Sequence, residues 1–161
     1  NIRPIGGKPL IVHSVLQAQL SGLFEAIAVS SDSPEILDIS KKYGADYSIV
    51  RPQDLASDPA PKLPAIQHCV NEVERISGEN FDVIVDLDVT SPLRLTKDIE
   101  GAVRLLEEKN VSNVITGCPA RRSPYFNLVE RDEDDYVRLS KPPEQIITRR
   151  QDDPECFDMN A

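Results

Sequence analysis

Apolar residues recur along the chain at two spacings. In some stretches they stand three or four positions apart, and this spacing predicts helices with one buried stripe at 10–20, 63–76 and 99–106. Elsewhere they form short runs rich in β-branched residues, which predict strands at 26–29, 47–50, 81–88 and 111–116.

Capping residues add one more helix and mark where the helices end. Ser33 followed by Pro34 is a typical helix start, because the hydroxyl can bind free amides and proline fits the first turn. Gly44 is the matching stop. Thr96 is the expected cap of the last helix.

The order of these elements predicts the fold class. Strand and helix alternate three times, which predicts an α/β fold with right-handed crossovers and a mainly parallel, doubly wound sheet. The pattern then changes, because 125–130 and 136–139 flank an acidic turn and predict a β-hairpin. We expect one domain over 1–161, with 118–155 as an excursion from its sheet.

Composition and charge exclude several classes of partner. The 161 residues carry a formal net charge of −9, which argues against general binding to nucleic acid or to an anionic membrane. Cys69, Cys118 and Cys156 are widely spaced and odd in number, which is typical neither of a disulfide framework nor of a zinc site. We therefore expect a reducing compartment.

The sequence shows no signal peptide and no apolar run of membrane-spanning length, so the expected location is the cytoplasm. The chain opens at Asn1-Ile2-Arg3-Pro4 without Met, and it is expected to be an excerpt from a longer protein.

Two carboxylates interrupt the predicted strand at 81–88. Asp86 and Asp88 stand where a strand covered on both faces would be apolar, and buried carboxylates are costly unless they are paired or bind a metal. Ligands of open α/β sheets bind beyond the carboxyl ends of the strands, so the turn at 88–94 is a candidate site. The alternative is that Asp88 only caps a turn and that Arg94 is a solvated surface charge.

Four loops follow the predicted strand ends, at 30–33, 51–61, 88–94 and from Cys118 onward, and on a doubly wound sheet they line one edge. Polar residues of these loops and of the excursion include Arg51, Asp58, Asp88, Arg121, Arg122, Arg149, Arg150 and Gln151. Arginine forks suit carboxylates and phosphates, and nearby carboxylates suggest Mg²⁺. The alternative for the two arginine pairs is a solvated or subunit-interface surface.

Two other features carry no predicted chemistry. Gly6-Gly7-Lys8 is interpreted as a turn that enters a helix, since no strand precedes it in this chain. His13 and His68 fall inside predicted helices without a partner at useful spacing, so we assign them structural or surface roles.

Five motifs follow one another along the chain. They are Asn1-Ile2-Arg3-Pro4 with Gly7-Lys8-Pro9-Leu10, Arg51-Pro52 with Leu55-Ala56-Ser57-Asp58, Thr90-Ser91-Pro92-Leu93-Arg94, Ser123-Pro124-Tyr125-Phe126-Asn127, and Arg149-Arg150-Gln151-Asp152 with Asn160. In order and spacing they resemble, nearly end to end, the CMP-acylneuraminate synthetases, also called acylneuraminate cytidylyltransferases.

The resemblance implies a Rossmann-like nucleotidyltransferase fold, a homodimer and Mg²⁺ as cofactor. It implies the reaction of CTP with an N-acylneuraminate-type nonulosonic acid to give the CMP-sugar and pyrophosphate. The excursion at 118–155 resembles the dimerisation segment of that family.

The resemblance also implies roles for individual residues. Nucleotide contacts would come from Asn1, Arg51, Ser57, Asp58 and Ala60. Sugar contacts would come from Thr90, Ser91, Asn127, Arg150 and Gln151, with Arg150 the partner of the sugar carboxylate. Asp88 would border the nucleotide, the metal and the sugar. It is the candidate metal ligand or, alternatively, the acceptor of the proton of the attacking hydroxyl. Asp88 and Arg150 are the candidate catalytic residues.

The chain departs from the family pattern at several positions. Asp88 stands where many members have glutamine, Asp86 adds a second acid, and Lys62 replaces a small hydroxyl residue. The family's phosphate loop before Asn1 and its downstream acidic metal motif lie outside this chain, so the excerpt alone is not expected to turn over.

Other functions remain open at this point. The alternative acids are legionaminate and pseudaminate, whereas 3-deoxy-manno-octulosonate is disfavoured because 90–94 is not the turn of that enzyme class. A non-catalytic, dimerising homologue is the alternative from a different class.

Overall fold

The computed structural model describes residues 1–57, 59–143 and 149–159, apart from the side chain of Arg150. These residues form two compact units, Asn1–Val114 and Ile115–Ala161. Their α and β elements confirm the α/β class. The organisation as one domain with an excursion stays a prediction.

The first unit contains four helices and two small sheets. The helices are α1 (Leu10–Ser21), α2 (Pro34–Lys42), α3 (Lys62–Ser77) and α4 (Thr96–Lys109), and the strands are β1 (Pro4–Ile5), β2 (Lys8–Pro9), β3 (Ala28–Ser31) and β4 (Tyr47–Val50). β3 and β4 pair in parallel, with Ala28 opposite Tyr47, and α2 connects them. This is the strand-helix-strand unit that the sequence predicts.

A tight hairpin precedes α1. β1 and β2 pair antiparallel across Gly6 and Gly7, whose φ angles of 55° and 80° favour glycine. Nε2 of His13 donates to the carbonyl oxygen of Ile5 at 2.9 Å and ties the hairpin to α1. The segment is therefore a turn that enters a helix.

The predicted helix caps are only partly correct. α2 starts after Ser33, but the Ser33 side chain makes no capping bond; its amide instead donates to Oγ of Ser31 at 3.1 Å. Thr96 is the first helical residue rather than the cap. The carboxylate of Asp98 accepts the amide of Leu95 at 2.8 Å and satisfies that end of α4.

The core of the first unit lies between α1, α2 and β3. Its buried side chains are Ile11, Val12, Val15, Val29, Leu37 and Ala45, and Val89 packs against them. Val89 immediately follows Asp88, so core packing holds the start of the candidate turn in place.

The predicted strand at 81–88 is absent, because this segment pairs with no strand in the described part of the chain. Exposure alternates along it: Phe81, Val83 and Val85 are half-buried, whereas Asp82 and Ile84 are exposed. A buried parallel strand needs cover on both faces, but only one face of this segment is covered.

The strand predicted at 111–116 is also wrong in position. Those residues pair with no described strand, and the nearest one, β5 (Gly117–Pro119), belongs to the second unit. β5 pairs antiparallel with β8 (Phe157–Met159), which lies far along the chain. Local sequence does not reveal such a partner.

The second unit contains the predicted hairpin. β6 (Val129–Arg131) pairs antiparallel with β7 (Val137–Leu139) across the acidic turn, which confirms this prediction. Oδ1 of Asp132 accepts the amides of Asp134 and Tyr136 at 3.1 and 2.9 Å, so the turn is held by its own carboxylate.

Among the helices of the described residues, none is both long enough and apolar enough to cross a membrane.

Candidate functional site

A cleft of about 580 Å³ opens in the first unit. Side chains from β3, α3 and the 81–87 segment form its apolar wall. Its polar and small lining residues include Asn1, Ser30, Asp32, Arg51, Ser57, Ala60, Lys62 and Asp86. The cleft therefore brings together Asn1, the loop at 51–61 and the segment that precedes the turn at 90–94, whereas Asp88 and that turn are not among its lining residues.

Four of the five candidate nucleotide residues line this cleft: Asn1, Arg51, Ser57 and Ala60. The fifth, Asp58, lies outside the described residues. The amide of Ala60 donates to the carbonyl oxygen of Ser57 at 2.9 Å, which closes a turn in the loop at 51–61. This loop carries three of the four residues and ends where α3 begins.

Arg51 follows β4 and is held by the neighbouring strand. Its Nη2 donates to the carbonyl oxygen of Ser30 at 2.8 Å, and its Nε donates to Oγ of Ser30 at 3.2 Å. The backbone amide of Arg51 donates to Ser31 at 3.0 Å. The third guanidinium nitrogen, Nη1, takes no part in these bonds, so a fixed cation stands beside the cleft.

Lys62 pairs with both acids of the 81–88 segment. Its Nζ lies 2.7 Å from Oδ2 of Asp86 and 3.3 Å from Oδ2 of Asp88. Partial burial opposes the charge of Lys62, but the hydrogen bond and charge of Asp86, reinforced by Asp88, raise its pKa. Sequence reasoning treated Lys62 only as a departure from a pattern and missed this contact.

The other carboxylate oxygen of Asp88 caps the turn. Oδ1 accepts the backbone amide of Thr90 at 2.8 Å and its hydroxyl at 2.7 Å. Partial burial opposes ionisation, yet these bonds and the charge of Lys62 outweigh it and lower the pKa of Asp88. Asp88 is thus a turn cap and an ion-pair partner at once, and it is ionised at neutral pH.

The amide of Ser91 donates to the carbonyl oxygen of Asp88 at 3.2 Å. Thr90 and Ser91 therefore lie beside Asp88 in one turn.

Arg94 is not a solvated surface charge. Its Nη2 donates to the carbonyl oxygen of Asp88, and its Nη1 donates to Oε1 of Gln17 at 3.1 Å and Oγ of Ser14 at 3.3 Å. Partial burial lowers the pKa of Arg94, against the opposing charges of Asp88 and Asp86. The side chain holds the candidate turn against α1.

Gln17 completes this attachment, since its Nε2 donates to the carbonyl oxygens of Pro92 at 2.7 Å and Arg94 at 3.0 Å.

The second unit carries the remaining candidate sugar residues. Oδ1 of Asn127 accepts the amide of Ser123 at 2.8 Å, which fixes that side chain within its own loop. Gln151 is exposed in a short 3₁₀ turn, Arg150–Asp152. The side chain of Arg150 lies outside the described residues.

The arginine pairs of the second unit differ in their use. Arg149 forms a two-pronged ion pair with Asp152, at 2.8 and 2.9 Å, so its fork already binds a carboxylate. Arg121 and Arg122 are exposed, so both of their predicted roles, anion binding and a solvated or interface surface, stay predictions.

A family model and several known proteins match the sequence of this chain. A family model described as cytidylyltransferase matches residues 1–153. A CMP-N,N'-diacetyllegionaminic acid synthase of Campylobacter jejuni is 42% identical over 161 residues, which are 100% of this chain and 67% of that protein. A post-translational flagellin modification protein B of Campylobacter coli is 40% identical over the same shares.

An N-acylneuraminate cytidylyltransferase of Escherichia coli is 29% identical over 133 residues, which are 83% of this chain and 30% of that protein. The match of the family model to nearly the whole chain agrees with the five motifs. The chain belongs to the cytidylyltransferase family, as a member of the group that includes the CMP-acylneuraminate synthetases.

Proposed function

We propose that the protein containing this chain transfers CMP from CTP to a nine-carbon nonulosonic acid and releases pyrophosphate. The observation that carries the proposal is the cleft of the first unit, which Asn1, Arg51, Ser57 and Ala60 line together. Asp86 lines the same cleft, and Lys62 joins it to Asp88. In this arrangement Arg51 supplies a cation for anionic groups, the small loop residues leave room for a base, and the acids would hold a metal ion.

The nucleotide occupies the side of the cleft formed by the loop at 51–61. The strand contacts of Arg51 fix its guanidinium, so it can donate to an anionic or carbonyl oxygen of CTP without losing much side-chain entropy. Small residues such as Ser57 and Ala60 leave room for the cytidine. Asp58 is assigned to the same loop through the family resemblance.

The reaction is an in-line transfer. The anomeric hydroxyl of the acid attacks the α-phosphorus of CTP, a new phosphorus–oxygen bond forms, the bond to pyrophosphate breaks, and the hydroxyl proton passes to water. Such chemistry needs positioning and charge neutralisation more than a covalent nucleophile. The lowered pKa of Asp88 makes it a poor proton acceptor, which favours an electrostatic role over that of general base.

Magnesium is the proposed cofactor. Asp88 is the proposed carboxylate ligand, with Asp86 beside it on the same ammonium, since Mg²⁺ in proteins commonly uses one or two carboxylates with substrate phosphates. Among the described residues no cluster of three or more metal-binding side chains exists. Oxygen donors of this kind fit the ion, which when bound would neutralise charge on the phosphates.

The sugar acid is assigned to the turn at 88–91 and to Asn127, Arg150 and Gln151. The turn is preformed, since Asp88 and Arg94 fix its backbone. Arg150 is proposed to bind the sugar carboxylate, because a fork matches a carboxylate with two bonds. The homodimer, formed through 118–155, and the cytoplasmic location stay predictions.

The comparisons favour one acid over another. A diacetyllegionaminic acid synthase matches the whole chain at 42% identity, whereas an N-acylneuraminate enzyme matches at 29% over a shorter stretch. Legionaminate is therefore the first candidate, and an N-acylneuraminate and pseudaminate complete the test set.

Pyrophosphate release by the full-length protein tests the proposal. CTP and Mg²⁺ are supplied with N,N'-diacetyllegionaminate, an N-acylneuraminate or pseudaminate, and UTP replaces CTP as the control. We expect release with CTP and one preferred acid. Equal release with UTP would contradict the nucleotide assignment, and silence with every acid would favour a non-catalytic, dimerising homologue.

A further inference from the structure

Lys62 joins two segments that the proposed function assigns to different substrates. It is the first residue of α3 and directly follows the loop at 51–61, which is assigned to the nucleotide. Its ammonium reaches Oδ2 of Asp88, where the turn assigned to the sugar acid begins. We propose that Lys62 is a positioning residue that orients Asp88 and couples the nucleotide loop to the acid-binding turn. This inference rests on the proposed function.

The hydrogen bonds of Asp88 support the positioning role of Lys62. Its two oxygens have separate partners, because Oδ1 accepts from the amide and hydroxyl of Thr90 while Oδ2 faces the ammonium of Lys62. A carboxylate held from both sides cannot rotate about its terminal bond without losing one of these contacts. Without Lys62, only the Thr90 side restrains it.

The backbone position of Lys62 supports the coupling between the nucleotide loop and the acid-binding turn. Pro61 occupies the N-cap of α3, so the base of the lysine stem is set where loop and helix meet. A nucleotide that orders this loop therefore also orders the start of α3 and the ammonium attached to it. Asp86, at 2.7 Å, provides a second anchor for the same ammonium.

The exposure of the Lys62 side chain distinguishes a positioning role from a role in stabilising the fold. The side chain of Lys62 is 52% exposed, and exposed ion pairs add little to the free energy of folding. Loss of the ammonium should therefore leave the melting temperature nearly unchanged while it alters the orientation of Asp88. If Lys62 were merely structural, loss of its ammonium would lower the melting temperature and leave the orientation of Asp88 unchanged.

Steady-state kinetics of the full-length enzyme test the coupling. For Lys62→Met we expect a fall of about tenfold in kcat/KM for the acid, the usual scale for loss of a charged hydrogen bond. The KM for CTP should change little. Lys62→Arg should recover most of the loss, and Lys97→Met, at an exposed lysine of α4, serves as the matched control.

A double-mutant cycle with Asp88→Asn distinguishes positioning from direct substrate contact. If Lys62 acts through Asp88, adding Lys62→Met to Asp88→Asn causes little further loss. Equal losses in both backgrounds would show that Lys62 acts on a substrate directly and would overturn the proposal. So would a Lys62→Arg enzyme as impaired as Lys62→Met.

Hydrogen exchange gives a readout that needs no activity. The amide of Thr90 donates to Asp88, so Lys62→Met should speed deuterium uptake in the peptide covering 86–94, whereas Lys97→Met should not. If the wild-type protein releases no pyrophosphate, the proposed function fails but this measurement still decides the role of Lys62. Unchanged exchange would refute the positioning role.

Discussion

Nη2 of Arg94 donates a hydrogen bond to the carbonyl oxygen of Asp88, while Nη1 of the same guanidinium reaches Ser14 and Gln17 on α1. One side chain thus closes the turn at 88–94 and attaches it to the core helix. Arg94 contributes by holding the turn rather than by reaching into the cleft.

Replacement of Arg94 should therefore reduce stability as well as activity. We expect Arg94→Ala to lower the free energy of unfolding by about 1–3 kcal/mol, since it leaves several polar groups without their partner. Arg94→Lys should recover little, because an ammonium cannot reproduce the fork. Denaturant unfolding measures the effect.

The matched control for Arg94 is Arg104→Ala, at an exposed position of α4 where the ion pair with Glu108 is 3.8 Å long. Its effect should stay below about 0.5 kcal/mol. Equal losses for Arg94 and Arg104 would contradict the anchoring role.

Replacing Arg51 and Arg150 should affect different substrates. Arg51 lines the cleft of the first unit, so Arg51→Ala should weaken the binding of CTP more than the binding of the acid. Arg150→Ala should weaken the binding of the acid much more than the binding of CTP, because Arg150 is assigned to the sugar carboxylate. Each loss should be about tenfold or more in affinity by titration of the full-length enzyme. Equal effects on both ligands would refute the assignment.

The cysteines should differ in their rate of alkylation. Burial raises the pKa of the Cys69 thiol, against the opposing positive charge of Arg51, so less thiolate is present at a given pH. Cys118 is exposed. Iodoacetamide at pH 8 should therefore modify Cys118 before Cys69, as followed by mass spectrometry of the peptides.

CTP should slow the reaction of Cys69 further, because this thiol lines the cleft. A Cys69 rate that equals that of Cys118, with or without nucleotide, would show that the cleft is more open than described.

Asp88 should make stability depend on pH in the acid range. Its pKa is lower in the folded protein than the ordinary value of 3.8, so the unfolded chain binds the proton more tightly. The stabilisation is complete above the ordinary pKa and is lost as pH falls below it toward the folded value. Asp88→Asn should therefore flatten the decline in unfolding free energy below about pH 4.

Asp32→Asn, at an exposed carboxylate that lines the cleft, is the comparison for Asp88→Asn. An Asp88→Asn protein with the wild-type pH curve would mean that the Thr90 and Lys62 contacts do not favour the charged form.

Local patterns in the sequence predicted the helices and the parallel pair β3 and β4, because helix periodicity and glycine stops act over a few residues. They also placed the hairpin of β6 and β7. They failed at 81–88, where a strand requires a partner and cover on both faces, and neither requirement can be read from the segment itself.

The candidate site shows the same limit. The motifs marked Arg51 and Ser57, and both line the cleft. The pairing of Lys62 with Asp86 and Asp88 depends on how α3 lies beside the 81–88 segment, and the bonds of Arg94 to α1 span 77 to 80 residues. Contacts of this range follow from packing rather than from spacing.

The ion pairs of Lys62 also bear on how two anions approach a chain of net charge −9. The ammonium cancels part of the negative potential of the two carboxylates at the cleft, and Arg51 adds a positive charge to its lining. A triphosphate entering there meets a weaker electrostatic barrier than the overall charge implies. Neutralising Arg51 would therefore slow association of the triphosphate most strongly at low ionic strength, where screening by salt is least.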